Sequence, residues 1–173
     1  MTPQLSGIPA LETERLVLRA PQASDTDAYM RFYQSDRSIY VGGPKEPRAA
    51  WDLWASQFGH WLVRGFGMFI VTRKGSDTPL GIVGHWFPET RPETEVGWVL
   101  FDAQSEGQNI AFEAAKACVD HAWNVLNWDR MVSYIDKGND RSVALAKRLA
   151  AVLDPSAEEP AQPCFVYRHA RPS

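Results

Sequence analysis

Residues 95–124, "EVGWVLFDAQSEGQNIAFEAAKACVDHAWN", constrain this chain more than any other stretch. An apolar run of strand character ends in a polar loop holding a single glycine, and a helical pattern starts abruptly after it. Ile110, Ala114, Cys118, His121 and Val125 fall on one side at helical spacing. The first turn of a helix presents unpaired N–H groups and the positive end of its dipole, a natural seat for an anion. Gly107, without a Cβ, lets the backbone come close to such a ligand. The amides of Gln108, Asn109, Ile110 and Ala111 would then be directed at a phosphate. Taken alone, the same glycine also reads as a plain turn.

The rest of the chain alternates in a way that puts this unit inside one sheet. "RLVLRAP" sets Leu16 and Leu18 against Arg15 and Arg19, a strand pattern. "ASDTDAYMRFYQS" reads as a helix capped by Ser24 or Asp25. "RAAWDLWASQFGHWLVRG" reads as a second helix, with Trp51, Trp54, Phe58, Trp61 and Leu62 on a shared side. "GMFIVTRK" and "LGIVGHWF" read as paired strands around "GSDTP". After the central unit come a strand in "RMVSYID", a helix over "GNDRSVALAKRLAAVL" capped by Asn139 or Asp140, a polar loop rich in proline and a last strand "CFVYRH". That order predicts a mixed α/β layer around one sheet, and a length of 173 residues predicts one domain, 1–173 with its core over 11–168.

Composition removes several functions. A net charge of −3 argues against nucleic acid as the main partner, because phosphate backbones select a basic surplus. The longest apolar runs are too short to span a bilayer, and "MTPQLSGIPALETERL" lacks the basic start and apolar block of a secretion signal. Cys118 and Cys164 fit neither a metal spacing nor a disulfide framework, and no metal site is expected. A cytoplasmic protein, monomeric or homodimeric, is the expectation.

Four phrases in order carry a resemblance. "LETERLVLRAP", "PLGIVG", "EVGWVL" followed by "GQNIAFEAAKACVDHAW", and "GNDRSVALAKRL" resemble the GCN5-related N-acetyltransferase (GNAT) family, in particular its branch that acetylates ribosomal-protein N-termini. The likeness spans roughly residues 11–168. It implies a single-domain fold with a mixed, mostly antiparallel sheet and helices on both faces. It also implies acetyl-CoA as cosubstrate and a primary amine as acceptor, attacked directly in a ternary complex. Gln104 and Gly107 match the family's Q/R-x-x-G-x-G/A loop, while Asn109 replaces its second glycine or alanine. If that position needs φ > 0, asparagine is the best substitute for glycine; if it needs a bare backbone, the side chain would crowd the phosphate. Where the family closes the following helix with "G-F", this chain has "LAAVLDPSAEEP".

The resemblance further implies an oxyanion donor among the backbone amides of Trp98, Val99 and Leu100, and a pantetheine contact from Asn139, which also reads as a helix cap. Glu95 matches an acidic position used as general base, and reads equally as one of three solvated glutamates in "PETRPETE". Many relatives carry an acid tyrosine in the helix after Asn139. This chain has none there, leaving Ser142, a water or Tyr134. His85 could reach the same cleft or be a cross-strand structural histidine, and His121 reads as a semi-buried one. One or two rings of the tryptophan-rich helix are expected to line the acceptor groove. Two other classes stay open: a CoA-binding protein without turnover, and an α/β interaction module in which Gly107 is only a turn.

Overall fold

An eight-stranded sheet organises the computed structural model, which describes residues 5–171; residues 1–4 and 172–173 of the expected domain lie outside the described residues. The strands are β1 (Leu11–Glu12), β2 (Leu16–Arg19), β3 (Met68–Arg73), β4 (Gly81–Trp86), β5 (Glu95–Leu100), β6 (Val132–Asp136), β7 (Val152–Leu153) and β8 (Cys164–Arg168). Their order across the sheet is β1-β2-β3-β4-β5-β6-β8-β7. All neighbours are antiparallel except β5 and β6. The helices are α1 (Thr26–Tyr33), α2 (Pro47–Arg64), α3 (Ile110–Asn124) and α4 (Asp140–Arg148).

Helices cover both faces, as the resemblance implies. On one, Ile110, Ala114, Cys118 and Ala122 of α3 pack on Leu16, Leu18, Phe69, Val71, Val83 and Val96. On the other, Tyr29 and Phe32 of α1 and Trp54 of α2 pack on Met68, Ile70 and Ile82. Buried on both faces, β3 needs a nearly continuous apolar run, and "MFIVT" supplies it. At Gly84 the backbone of β3 comes so near that a Cβ would lie 2.7 Å from the Gly67 carbonyl and 2.9 Å from the Met68 Cα. Only glycine fits there. The Arg19 guanidinium grips Asp25 with two bonds of 2.8 Å, so the N-cap of α1 spends its carboxylate on β2 rather than on its own helix.

β5 and β6 decide the shape of the middle of the sheet. They share a single register pair, Glu95↔Val132, at their first residues. Beyond it they diverge, and the gap widens toward Leu100 and Asp136. Ser133 Oγ closes the root of this V by donating to the Val96 carbonyl at 2.6 Å. His169 Nε2 lies 2.9 Å from the same oxygen and serves as the donor to it, since the serine proton is already spent.

Two expectations are corrected here. Trp51 and Leu62 do not share the buried side of α2: they are 52% and 76% exposed, while Ala50, Trp54, Gln57 and Trp61 are buried. The true stripe is centred about a quarter-turn away, and at 3.6 residues per turn both outliers fall beyond its edge. Helix α4 also ends earlier than "LAAVL" predicts, because Ala150 turns to φ 60 and Val152–Leu153 pair with β8 instead. The amides of Ala150 and Ala151 return to Lys147 and Ala146 at 3.0 Å each, the double bond pattern of a left-handed helix terminus. Alanine thus holds a conformation that favours glycine. Ala150→Gly is expected to raise stability by about 1 kcal/mol, read as a higher midpoint in thermal or urea unfolding.

Candidate active site

Beneath the V lies a cleft of about 630 Å³, walled by Glu95, Trp98 and Val99 of β5, Tyr134 of β6, Ser142 of α4 with the cap residue Asn139 before it, and Tyr29 and Tyr33 of α1. Successive peptide groups of a strand point to opposite sides. The Phe101 amide bonds to Leu80 next to β4, while the carbonyls of Val96 and Leu100 accept from Ser133 and Arg37 on the other side. Trp98 and Leu100 therefore turn their amides into the V, and Val99 turns its own toward β4. Of the three expected oxyanion donors, Val99 is removed by this alternation; it still lines the cleft.

The three glutamates of "PETRPETE" have three different fates. Glu89 lies on the surface beside Arg64 at 3.0 Å. Glu93 is gripped by Arg168 through bonds of 2.8 and 2.9 Å, which hold its carboxyl below the usual range. Glu95 is 7% exposed and faces the cleft. Its Oε2 sits 3.1 Å from Arg91 Nε as an ion pair, with no hydrogen-bond donor aligned on it. Burial pushes its pKa up to about 7, against the opposing pull of Arg91. Glu95 is therefore poised to exchange a proton near neutrality, unlike a solvated edge glutamate.

Around it, Tyr134 carries the Arg91 guanidinium 5.0 Å over its ring, and its hydroxyl accepts from the Glu93 amide at 3.2 Å. Burial raises that phenol to about 12, so it stays protonated. Trp98 Nε1 donates to Ser142 Oγ at 3.2 Å, leaving the serine's own proton uncommitted. Asn139 Oδ1 caps α4 by accepting from the Ser142 amide at 3.2 Å, and no described residue accepts from its Nδ2.

His85 does not reach the cleft. It is fully buried against α3, with Nε2 3.0 Å from the Cys118 carbonyl, and burial lowers its pKa to about 4. The two-residue period of β4 sends His85 to the α3 face and its neighbour Trp86 into the cleft. His121 lies beside it, rings 5.2 Å apart, as a buried structural residue. From the aromatic helix α2 no tryptophan lines the cleft; Leu53 and Gln57 do.

The glycine loop lies outside the cleft, at the start of α3. Gln104, Gly107, Gln108 and Asn109 are exposed there. Among the described residues none accepts a hydrogen bond from the amides of residues 107–112, the first claimed amide being that of Glu113. Asn109 has φ 66 and ψ 9, so the position does require the left-handed conformation that asparagine tolerates. Its side chain turns away to Arg148, which donates to Oδ1 at 2.6 Å while stacking 4.3 Å over the Phe112 ring. Ile110 has only its amide to offer a ligand, because its side chain is in the core. Gln104 accepts from the Gln108 side chain through its carbonyl, and Gln108 also accepts from Arg15 and Arg73. Arg15 is paired with Glu113 at 2.7 Å, while Arg73 and Arg148 add positive charge beside the unpaired amides, which fits a pyrophosphate. Sequence periodicity had no way to find Arg148 or Arg73, since each reaches its place across the fold.

Comparison with known proteins bears on the family and the fold. The family model described as "Acetyltransferase (GNAT) domain" matches residues 15–152. YkkB of Bacillus subtilis (strain 168) is 27% identical over 165 residues, 91% of this chain and 93% of its own. The crystal structure of an acetyltransferase from Agrobacterium tumefaciens str. C58 superposes with a TM-score of 0.91 at 34% identity, over 99% of each chain. RimL, a ribosomal L7/L12 α-N-protein acetyltransferase solved in complex with coenzyme A, shares the fold at a TM-score of 0.71 and 17% identity, over 92% of this chain and 95% of its own.

Glu95 makes stability depend on pH. Its pKa rises from 4.5 to about 7 on folding, so the folded protein holds a proton that the unfolded chain releases. The stabilisation is complete below about pH 4.5 and lost as pH climbs through 7. Glu95→Gln is expected to erase this fall, gaining up to about 3 kcal/mol over wild type at pH 8 and nothing at pH 4, by urea unfolding across that range.

Proposed function

Because the chain belongs to the GNAT acetyltransferase family, we propose that it moves an acetyl group from acetyl-CoA to the nitrogen of a primary amine, a small molecule or a protein N-terminus, by direct attack in a ternary complex. The observation that carries this reading is Glu95: a buried carboxylate with a pKa of about 7, in the cleft where β5 and β6 part.

Acetyl-CoA supplies a thioester carbonyl open to amine attack and a thiolate leaving group. The residues of this chain do the rest. The unpaired amides of residues 107–112, with Arg73 and Arg148 beside them, hold the pyrophosphate. The Asn139 side-chain nitrogen, free once Oδ1 has capped α4, donates to the pantetheine arm. In the V, the Trp98 and Leu100 amides meet the negative charge developing on the thioester oxygen.

The amine must lose a proton before it attacks. For an α-amine of pKa about 8 this costs about 1 kcal/mol at pH 7, and for a lysine near 10.4 roughly 4.6. Glu95, directly or through one water, takes that proton. The C–N bond forms and the C–S bond breaks. The departing sulfur takes a proton from the Ser142 hydroxyl, the second proton of the nitrogen restores that hydroxyl, and Glu95 gives the first proton up to solvent. The products are the N-acetyl amine and CoA, with one proton released overall.

Acetyl-CoA with an amine panel is therefore expected to release free thiol. Glu95→Gln should lower kcat/KM by about 10²- to 10³-fold and abolish the rise in rate through pH 7. Unchanged rates in that variant would remove Glu95 from the mechanism. CoA at one hundred times its Kd should stabilise the fold by about 2.7 kcal/mol. Stabilisation without thiol release from any amine would instead describe a CoA-binding protein.

A further inference from the structure

The guanidinium beside Glu95 is out of place in a cleft that receives only an ammonium group. Arg91 lines the cleft with a side chain that is 29% exposed, and its Nε stands 3.1 Å from Glu95 Oε2. A fixed cation this close to the base repels an approaching ammonium, unless the ligand brings a negative charge of its own. Tyr134 holds the guanidinium 5.0 Å over its ring, which keeps the planar fork in one orientation. The contact with Glu95 is an ion pair without an aligned hydrogen bond. It involves Nε, and the two Nη groups are hydrogen-bonded to no described residue. Arg91 therefore offers the cleft a held, accessible pair of donors.

The rest of the lining repeats this bias. Lys45, half-buried on the loop before α2, faces the same cavity and has no ion-pair partner among the described residues. The carboxylates on the lining are Glu95, which is only partly ionised near neutrality, and Asp136, whose Oδ1 is taken by the Gly138 amide at 2.9 Å. Recognition of a bare ammonium calls for the reverse balance, with carboxylates in excess of cations. A guanidinium fork next to a base carboxylate mirrors one ligand pattern: an amine and a carboxylate on the same carbon, with their charges in the complementary order.

Resting on the acetyl-transfer reading, we propose that Arg91 makes the acceptor a free α-amino acid: its Nη groups hold the substrate carboxylate while the α-amine faces Glu95. A peptide N-terminus carries a neutral amide where the amino acid carries its carboxylate, so it leaves the Arg91 fork uncovered and binds less well. A plain alkylamine brings no anion at all and meets the guanidinium as a second cation. Acetylation removes the ammonium charge that pairs with Glu95 and keeps the carboxylate, which loosens the product's hold.

Thiol release from acetyl-CoA with matched sets tests this: a free α-amino acid, its primary amide, a dipeptide beginning with it and the amine lacking the carboxyl group. Rates are compared after correction for the free-base fraction of each amine. Wild type is expected to favour the free acid over its amide by about ten-fold or more in kcat/KM, through KM. Arg91→Gln should bring that ratio close to one. Arg91→Lys, which keeps the charge beside Glu95 but not the planar fork, should retain part of it. The ratio separates recognition from any change the substitution makes to Glu95, because both substrates use the same base. No preference for the acid in wild type, or a preference that survives Arg91→Gln, overturns the amino-acid reading and leaves acetyl transfer standing. Absence of thiol release with every amine, while CoA still raises the melting temperature, overturns both.

Discussion

Everything functional here depends on one interrupted pairing. A sheet satisfies its backbone groups by continuing its ladders, and between β5 and β6 the ladder stops after Glu95↔Val132. The strands part because each is held elsewhere. β5 is paired with β4 along its whole length, and β6 with β8 along its own. Ser133, bonded to Val96 and His169, pins the root of the gap, and Arg168 draws β8 toward Glu93 at the same end. What remains is a wedge with the Trp98 and Leu100 amides on one wall. Trp98 reaches across it to Ser142, so α4 and its cap Asn139 are brought to the same opening.

Burial then turns ordinary side chains into chemical ones. Glu93 and Glu95 are two residues apart and carry the same group, yet one is held below the usual carboxylate range and the other is raised to about 7. The difference is the partner and the burial: a bidentate guanidinium on the first, a poorly aligned Arg91 and a buried position on the second. Tyr134 shares the environment of Glu95 and stays protonated, and His85, on the opposite face, is kept neutral. Glu95 combines access to the cleft with a proton it can exchange near pH 7.

Two departures from the family pattern turn out to share one physical answer. Asn109 and Ala150 both stand at positions of positive φ where glycine is favoured, 66° and 60°. Neither changes the course of the backbone. Asparagine adapts at little cost, and Arg148 holds its side chain away from the loop amides. Alanine accepts the strain and still ends α4, which sends Val152 and Leu153 into the sheet. In both places the surrounding hydrogen bonds impose the conformation on the residue present.

The positions of α3, β5 and β6, the glycine loop before α3 and the Asn139 cap were all legible in the sequence, because periodicity, cap residues and one glycine are local signals. The apolar alternation of β2 and the spacing of α3 assigned the two faces of the sheet. The register of α2 was not legible: eighteen residues of mixed aromatic and polar character leave the centre of the buried stripe undefined until Tyr29 and Met68 pack against it. Nor was the contrast among three nearby glutamates, the loss of Val99 as a donor, or the gathering of Lys45, Arg91 and Glu95 around one cavity. Those depend on which groups meet across long stretches of chain and on how much water is left between them. The sequence by itself determined which elements form and where an anion can sit; the tertiary structure alone decided which carboxylate is buried, because desolvation is a property of the assembled neighbours and not of the residue.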